Sequence, residues 1–177
     1  MDRALRIIRY PDPRLRKPSA PVEHFDDQLK GLASRMLQLM REAKGVGLAA
    51  PQVGINLRLF VMCHSGKPED DRVYVNPVLS EPEGEDEAEE GCLSLPEINI
   101  PVWRATRLRI QARNLDGQPI DQTETGYIAR IWQHETDHLD GILLLDKMTP
   151  IQKLSMRRQI RDMEQAYESR RRKPVHH

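Results

Sequence analysis

The most constraining feature of this chain is residues 133–138, which read Gln-His-Glu-Thr-Asp-His and contain the pattern His-Glu-x-x-His. If this segment is helical, His134 and His138 lie four residues apart, one turn above the other on the same face. Two imidazole nitrogens can then reach one divalent metal, and Glu135 can act on a water bound to it. The alternative is a solvated, charged stretch that fits the pattern by chance. The motif therefore predicts a helix with a metal site on one face.

Length and composition limit the classes of protein that this chain can be. Its 177 residues suffice for one well-packed domain, which we expect to span residues 1–177. The 27 basic and 27 acidic residues balance, so we expect no specific DNA partner. Two cysteines form no disulfide framework. With no apolar run of about 20 residues and no apolar signal segment at the N-terminus, we expect a cytoplasmic protein without a membrane partner.

Three segments have helical periodicity, and four predict strands. The predicted helices span about 26–44, with Asp26 as the N-cap, 124–139, and 150–169, with Thr149 as the N-cap. The arginine-rich tail 170–177 is expected to be flexible. The predicted strands span 57–63, 73–79, 106–113 and 118–122, the last two joined by a turn at Asp116-Gly117. The alternation of polar and apolar residues in 106–113 favours antiparallel pairing with one wet face. The acidic stretch 81–90 is interpreted as a solvated loop, except for Glu90.

A catalytic metal site commonly has three protein ligands and one open position, so a third ligand is needed. Carboxylates and other histidines remain candidates, together with the two cysteines. Cys63 ends an apolar strand and is expected in the core. Cys92 lies in the segment Glu-Gly-Cys-Leu-Ser, where a glycine permits close backbone approach. A thiolate with two imidazoles suits zinc, iron or cobalt better than calcium or magnesium.

Three motifs together make the chain resemble the peptide deformylases. They are Gly-Val-Gly-Leu-Ala-Ala-Pro-Gln at 45–52, Glu-Gly-Cys-Leu-Ser at 90–94 and Gln-His-Glu-Thr-Asp-His-Leu at 133–139. Residues 10–16 also resemble that family, and the likeness extends over about residues 5–148. It implies an α+β fold in which antiparallel β-sheets surround a central α-helix with the His-Glu-x-x-His motif, followed by a C-terminal helix.

The resemblance implies a metal-dependent hydrolase that removes the formyl group from the formyl-methionine of newly made polypeptides. Cys92, His134 and His138 would bind one divalent metal, commonly Fe2+ in that family, with Zn2+, Ni2+ or Co2+ able to replace it. The metal lowers the pKa of a bound water, and the resulting hydroxide attacks the formyl carbon. Glu135 would accept the proton and pass it to the departing amine, so that formate and a free amine are released.

The resemblance also assigns the groups that hold the substrate. The side-chain amide of Gln52 and the backbone N–H of Leu93 would stabilise the oxyanion. Gly45 and Gly47 would let an extended peptide pair as an added strand. The remaining residues assigned to substrate binding are Val46, Glu90, Gly91, Tyr127 and Ile131.

The sequence leaves the role of four residues near this site open. Glu90 and Asp137 are candidates to accept a hydrogen bond from a ligating histidine. Arg104 could pair with either carboxylate. Arg130 stands where some members of the family have an aliphatic residue, and we expect it to alter the outer rim of the methionine pocket.

Two other functions fit part of the pattern. A metalloprotease would cleave peptide bonds, but it usually takes a third histidine or glutamate downstream. A metal-stabilised binding module would need four protein ligands. Separately, the basic last helix, which carries Arg157, Arg158 and Arg161, could contact ribosomal RNA or could be a solvated helix face.

Overall fold

The computed structural model describes residues 4–172. It is an α+β fold with two antiparallel sheets, as expected. The strands are β1 (Gly47–Ala49), β2 (Leu59–Met62), β3 (Arg72–Glu83), β4 (Asp86–Cys92), β5 (Leu95–Arg104), β6 (Arg107–Arg113) and β7 (Pro119–Thr125). The helices are α1 (Asp27–Glu42), α2 (Gly126–Leu139), α3 (Pro150–Ser155) and α4 (Arg157–Arg172). Five strands form one sheet in the order β1-β2-β3-β6-β7, and β4 and β5 form a separate hairpin.

The five-stranded sheet separates α1 from α2. Strand β2 is buried on both faces, because Leu59 and Val61 pack in the cluster that contains α1, whereas Phe60 and Met62 pack in the cluster that contains α2. Trp132 of α2 is fully buried there. This packing fixes α2 against the middle of the fold, so its other face is available for a site.

Local signals place the helix starts. The Asp26 side chain accepts a hydrogen bond from the Leu29 N–H at the start of α1, which is the N-cap expected from the sequence. Thr149 accepts from the Gln152 N–H and begins α3. The single predicted C-terminal helix is broken at Met156 into α3 and α4. Helix α4 continues to Arg172, so residues 170–172 of the tail are helical, and its expected flexibility stays a prediction. Residues 173–177 of that tail lie outside the described residues.

The acidic stretch 81–90 is mostly β-strand and not the predicted loop. It contains the end of β3 and most of β4, which pairs with β5 from Asp86↔Arg104 to Cys92↔Leu95. The sequence prediction failed because acidic residues face solvent on the outer side of β4, while the apolar partner is β5. Strand β5 alternates buried Ile98, Ile100 and Val102 with exposed residues, a period-two signal that our prediction missed.

Candidate metal centre

Helix α2 holds the two histidines of the motif one turn apart. Nε2 of His134 and Nε2 of His138 are 3.3 Å apart. His138 is buried, whereas His134 is partly exposed toward the cavity described below. The helix therefore directs two ring nitrogens at one point, as the i, i+4 spacing predicts.

Cys92, at the end of β4, completes a cluster with these histidines. Its Sγ lies 3.4 Å from Nε2 of His138, and the three donor atoms all lie within 4.8 Å of one another. A tetrahedral ion with metal–nitrogen bonds of about 2.0–2.1 Å and a metal–sulfur bond of about 2.3 Å would place its ligand atoms about 3.3–3.6 Å apart. The donor set therefore fits one divalent metal. Cys63 is 2% exposed and its Sγ lies 3.2 Å from the Lys67 carbonyl, so it lies in the core as expected.

Glu90 connects the metal cluster to a charged network. Its Oε1 lies 2.9 Å from Nδ1 of His134, and Arg104 donates to both carboxylate oxygens at 2.9 and 3.0 Å. Arg104 also donates to Asp137 at 2.6 Å, so it pairs with both of the carboxylates between which the sequence could not choose. Burial opposes ionisation of Glu90, but hydrogen bonds with His134 and Arg104 hold its pKa well below the usual range. An ionised Glu90 requires Nδ1 of His134 to donate, which leaves Nε2 free to ligate.

The surroundings of the two histidines affect their protonation in opposite directions. Burial acts to lower the pKa of His134, but hydrogen bonds with Cys92 and Glu90 raise it well above the ordinary value. Burial and the neighbouring His134 lower the pKa of His138. Because a ligating imidazole must be neutral, a metal bound by this cluster would compete with a proton for His134.

The carboxylate of Glu135 is buried and occupies the space beside a glycine. It is 4% exposed, and its Oε2 is buried with no hydrogen-bond partner among residues 4–172. A Cβ added to Gly47 would lie 2.5 Å from Oε1 of Glu135, so the missing side chain of Gly47 is the space that the carboxylate occupies. Burial raises the pKa of Glu135 to about 7. A group with this pKa can both accept and return a proton near neutral pH.

Gln52 has its side-chain amide held in one orientation. Its Oε1 accepts from the Ala49 N–H at 2.9 Å, which turns Nε2 toward the metal cluster. Nε2 lies 3.2 Å from Oγ of Ser94 and 3.6 Å from Sγ of Cys92. The fully buried Ser94 in turn donates to the Ile8 carbonyl at 2.9 Å. No role was predicted for Ser94 from the sequence, although it lies within the second motif.

A cavity of about 400 Å³ opens beside the cluster. Every residue that the sequence analysis assigned to the site lines it, except His138, which lies behind the cavity wall. Ile131 is 4% exposed and Tyr127 is 54% exposed, so the buried end of the cavity is apolar and a tyrosine stands at its mouth. This arrangement combines three side chains that could hold a metal ion, a buried carboxylate with a raised pKa, an oriented side-chain amide and an apolar slot.

Arg130 lines the cavity and is 7% exposed. Its guanidinium turns inward to Glu90 at 2.7 Å and to Asp86 at 2.7 Å. These two carboxylates of β4, one buried and one exposed, draw the guanidinium away from solvent. The spacing of four residues between Arg130 and His134 was the available signal that both point the same way.

Comparisons with known proteins agree on one family. The polypeptide deformylase family model matches residues 4–154. The peptide deformylase of Acidobacterium capsulatum is 43% identical over 164 residues, covering 92% of this chain and 96% of that protein, and that of Thermotoga maritima is 43% identical over 159 residues, covering 89% and 95%. Crystal structures of a plant peptide deformylase (TM-score 0.93, 37% identity, 98% and 96% coverage) and of the Plasmodium falciparum enzyme (0.90, 38%, 93% and 98%) are similar to this fold.

Proposed function

The chain belongs to the polypeptide deformylase family, and from that premise we propose that the cavity beside Cys92 is its active site. The enzyme is a hydrolase that removes the formyl group from the N-terminal formyl-methionine of newly synthesised polypeptides. The observation that carries the assignment of the site is the cluster of Cys92, His134 and His138 next to the buried Glu135. We further propose that residues 1–177 form one catalytic domain.

The family depends on a divalent metal, and the Cys/His/His cluster fits one. We propose Fe2+ as the physiological ion, with Zn2+, Ni2+ or Co2+ able to replace it, because a thiolate and two imidazoles suit these ions. When bound, the metal supplies Lewis acidity that lowers the pKa of water and polarises the formyl oxygen. The ligands on this chain would be Sγ of Cys92 and Nε2 of His134 and His138.

Glu135 would carry the proton. Its carboxylate takes a proton from the attacking water and gives it to the departing α-amine, acting first as base and then as acid. The pKa of about 7 and the unpartnered Oε2 support this role, since the oxygen has no competing donor. Gly47 keeps the carboxylate in place, because any larger residue would displace it.

Gln52 and Leu93 would stabilise the tetrahedral intermediate. Nε2 of Gln52 is oriented by the Ala49 N–H and faces the cluster, so it can donate to the developing oxyanion without reorganising. Leu93 follows Cys92 in the turn between β4 and β5 and lines the cavity, which supports its backbone N–H as a second donor.

The substrate would lie as an extended chain between the edges of β1 and β4. Gly45, Gly47 and Gly91 all line the cavity, and we propose that the peptide pairs there as an added strand. Val46, Tyr127 and Ile131 would form the pocket for the methionine side chain. Glu90 lines the same cavity but is held by His134 and two arginines, so we propose that it acts on the ligand rather than on the peptide.

The test compares formate release from a formyl-methionyl peptide with cleavage of an internal peptide bond in the same peptide. We expect formate and a free amine, with no shorter fragments. Peptide fragments without formate would instead support a metalloprotease. Glu135→Gln should retain the metal and lose nearly all formate release, whereas a metal-stabilised binding module would release no formate in either form.

We also propose a cytoplasmic location and contact with the ribosome near the emerging chain. The bacterial relatives support the first. The arginines along α4, namely Arg157, Arg158, Arg161, Arg170, Arg171 and Arg172, support the second, because phosphate contacts give salt-dependent binding. Co-sedimentation with ribosomes at low and high salt tests this, and a variant lacking residues 150–177 should lose any salt-sensitive binding while retaining formate release. No helix in residues 4–172 is long and apolar enough to cross a membrane.

A further inference from the structure

Arg130 is a buried charged residue of the cavity wall to which the reaction above gives no role. It lies one helical turn before His134 on α2, is 7% exposed and lines the cavity. A buried guanidinium is costly unless it is paired and hydrogen-bonded. The partners of Arg130 therefore indicate what it does.

All four acceptors of Arg130 belong to the β4–β5 hairpin. Its Nη1 donates to Oε2 of Glu90 at 2.7 Å and to the Val102 carbonyl at 2.9 Å. Its Nη2 donates to the carbonyl and to Oδ1 of Asp86, at 3.0 and 2.7 Å. One side chain of α2 thus contacts both strands of the hairpin, and its fork geometry allows this where a lysine could not.

This connection matters because the metal ligands come from two separate parts of the fold. Cys92 lies on the hairpin, whereas His134 and His138 lie on α2. Among the described residues the hairpin forms no ladder with the five-stranded sheet. The Tyr10 N–H donates to the Ser94 carbonyl at 3.0 Å and holds the turn of the hairpin. The side-chain contacts between α2 and the hairpin, which include the bond of Arg104 to Asp137, then set the distance between Sγ of Cys92 and the imidazoles.

Glu90 is the point at which these contacts converge. Arg104 lies on β5, so its two bonds to Glu90 stay within the hairpin. Two groups of α2 reach Glu90. Nδ1 of His134 contacts its Oε1, and Nη1 of Arg130 donates to its Oε2. Two donors one turn apart on the helix hold both oxygens of one carboxylate, which fixes its rotation and directs Oε1 at the ligand imidazole.

We propose that Arg130 is a positioning residue of the metal centre, which sets the placement of Cys92 relative to the two histidines by clamping the β4–β5 hairpin to α2. The inference rests on the metal site of the proposed function. With the guanidinium engaged by the hairpin, the methylene stem of Arg130 is left to face the cavity. Arg130→Met keeps an unbranched apolar stem and removes only the clamp.

The test uses cobalt as the metal, because a thiolate-to-cobalt absorption band reports directly on the cysteine ligand. Wild type, Arg130→Met, Arg130→Lys and Arg109→Met are stripped with a chelator and reloaded with Co2+. The control removes an arginine that is also paired with two carboxylates, Asp121 and Glu81, but on the surface of the sheet. The measurements are the thiolate band, the rate of Co2+ transfer to a chelator, and kcat and KM for formate release.

We expect Arg130→Met to release Co2+ about 10–100-fold faster than wild type, the usual effect of removing a partner of a metal ligand. Its thiolate band should shift or weaken, and kcat should fall with little change in KM because the pocket stem remains. Arg130→Lys should release Co2+ faster than wild type but more slowly than the methionine variant. Arg109→Met should match wild type in every measurement.

The proposal would be overturned if Arg130→Met unfolded at a lower temperature but kept the thiolate band and the Co2+ release rate of wild type. Arg130 would then form a purely structural ion pair. If Arg130→Met does not fold, the test rests on Arg130→Lys. Release of Co2+ from Arg130→Lys at the wild-type rate would also overturn the proposal. If wild-type protein itself binds Co2+ without a thiolate band, the metal centre of the proposed function is wrong, and the role of Arg130 fails with it.

Discussion

Replacing Glu135 with glutamine should stabilise the metal-free protein at alkaline pH while abolishing activity. Glu135 is 4% exposed, and its Oε2 finds no hydrogen-bond partner among residues 4–172. Burial raises its pKa to about 7 from the ordinary 4.5, so the folded state disfavours the charged form. Glutamine has nearly the shape of the protonated acid and no charge to bury.

The sign and size of the effect follow from proton linkage. Between pH 4.5 and pH 7 the folded protein holds a proton on Glu135 that the unfolded chain has lost, so the stability of wild type falls as pH rises through this window. The cost is absent below the unfolded pKa and complete above the folded one. At about 1.4 kcal/mol per pKa unit the full difference amounts to about 3 kcal/mol.

Denaturant unfolding of chelator-treated protein measures this difference. From about pH 5 to about pH 8.5, the free energy of unfolding of Glu135→Gln should rise relative to wild type by about 2–3 kcal/mol. Glu87→Gln is the matched control, because Glu87 is exposed on β4, and it should differ from wild type by less than about 0.5 kcal/mol at both pH values. A gap between Glu135→Gln and wild type that stays constant with pH would refute the argument that folding raises the pKa of Glu135.

Other changes at the site have equally specific expected results. Gly47→Ala should lower kcat strongly without loss of metal, because its Cβ would lie 2.5 Å from Oε1 of Glu135. The control Gly31→Ala, where a Cβ meets nothing within 4 Å, should leave kcat unchanged. Equal effects of the two substitutions on kcat would contradict the steric explanation. Gln52→Leu should reduce kcat about 100- to 1,000-fold through loss of an oxyanion donor, with metal content by atomic absorption unchanged; metal loss of similar size would show a structural role instead. Metal affinity, measured by chelator competition, should weaken as pH falls, because the pKa of His134 is raised and its proton competes with the ion. A metal affinity that does not change with pH would exclude this competition.

The sequence predicted the helices better than the second sheet. Helix starts depend on neighbouring residues, and the Asp26 and Thr149 caps were found because the side chain and the N–H that it satisfies lie within one turn. The hairpin was missed because β4 is acidic along its exposed side and depends on β5 for its apolar face. A strand whose stability comes from its partner carries a weak signal of its own.

The candidate site was likewise predicted only in part from the sequence. The motifs identified the residue types, and every assigned residue lies in or directly behind one cavity. The partners of Arg130 were not predictable, since only the packing of the hairpin against α2 brings Asp86 and Glu90 within its reach. The double pairing of Arg104 with Glu90 and Asp137 has the same origin.

The sequence by itself determined which atoms can ligate a metal and which carboxylate stands beside them, because the geometry of one helical turn is local and depends on no distant residue. Tertiary structure alone decided that Cys92 lies beside the two histidines and that the Glu135 carboxylate is buried away from solvent. Those properties arise from burial and from contacts between segments far apart in the chain, and such contacts exist only once the core has formed.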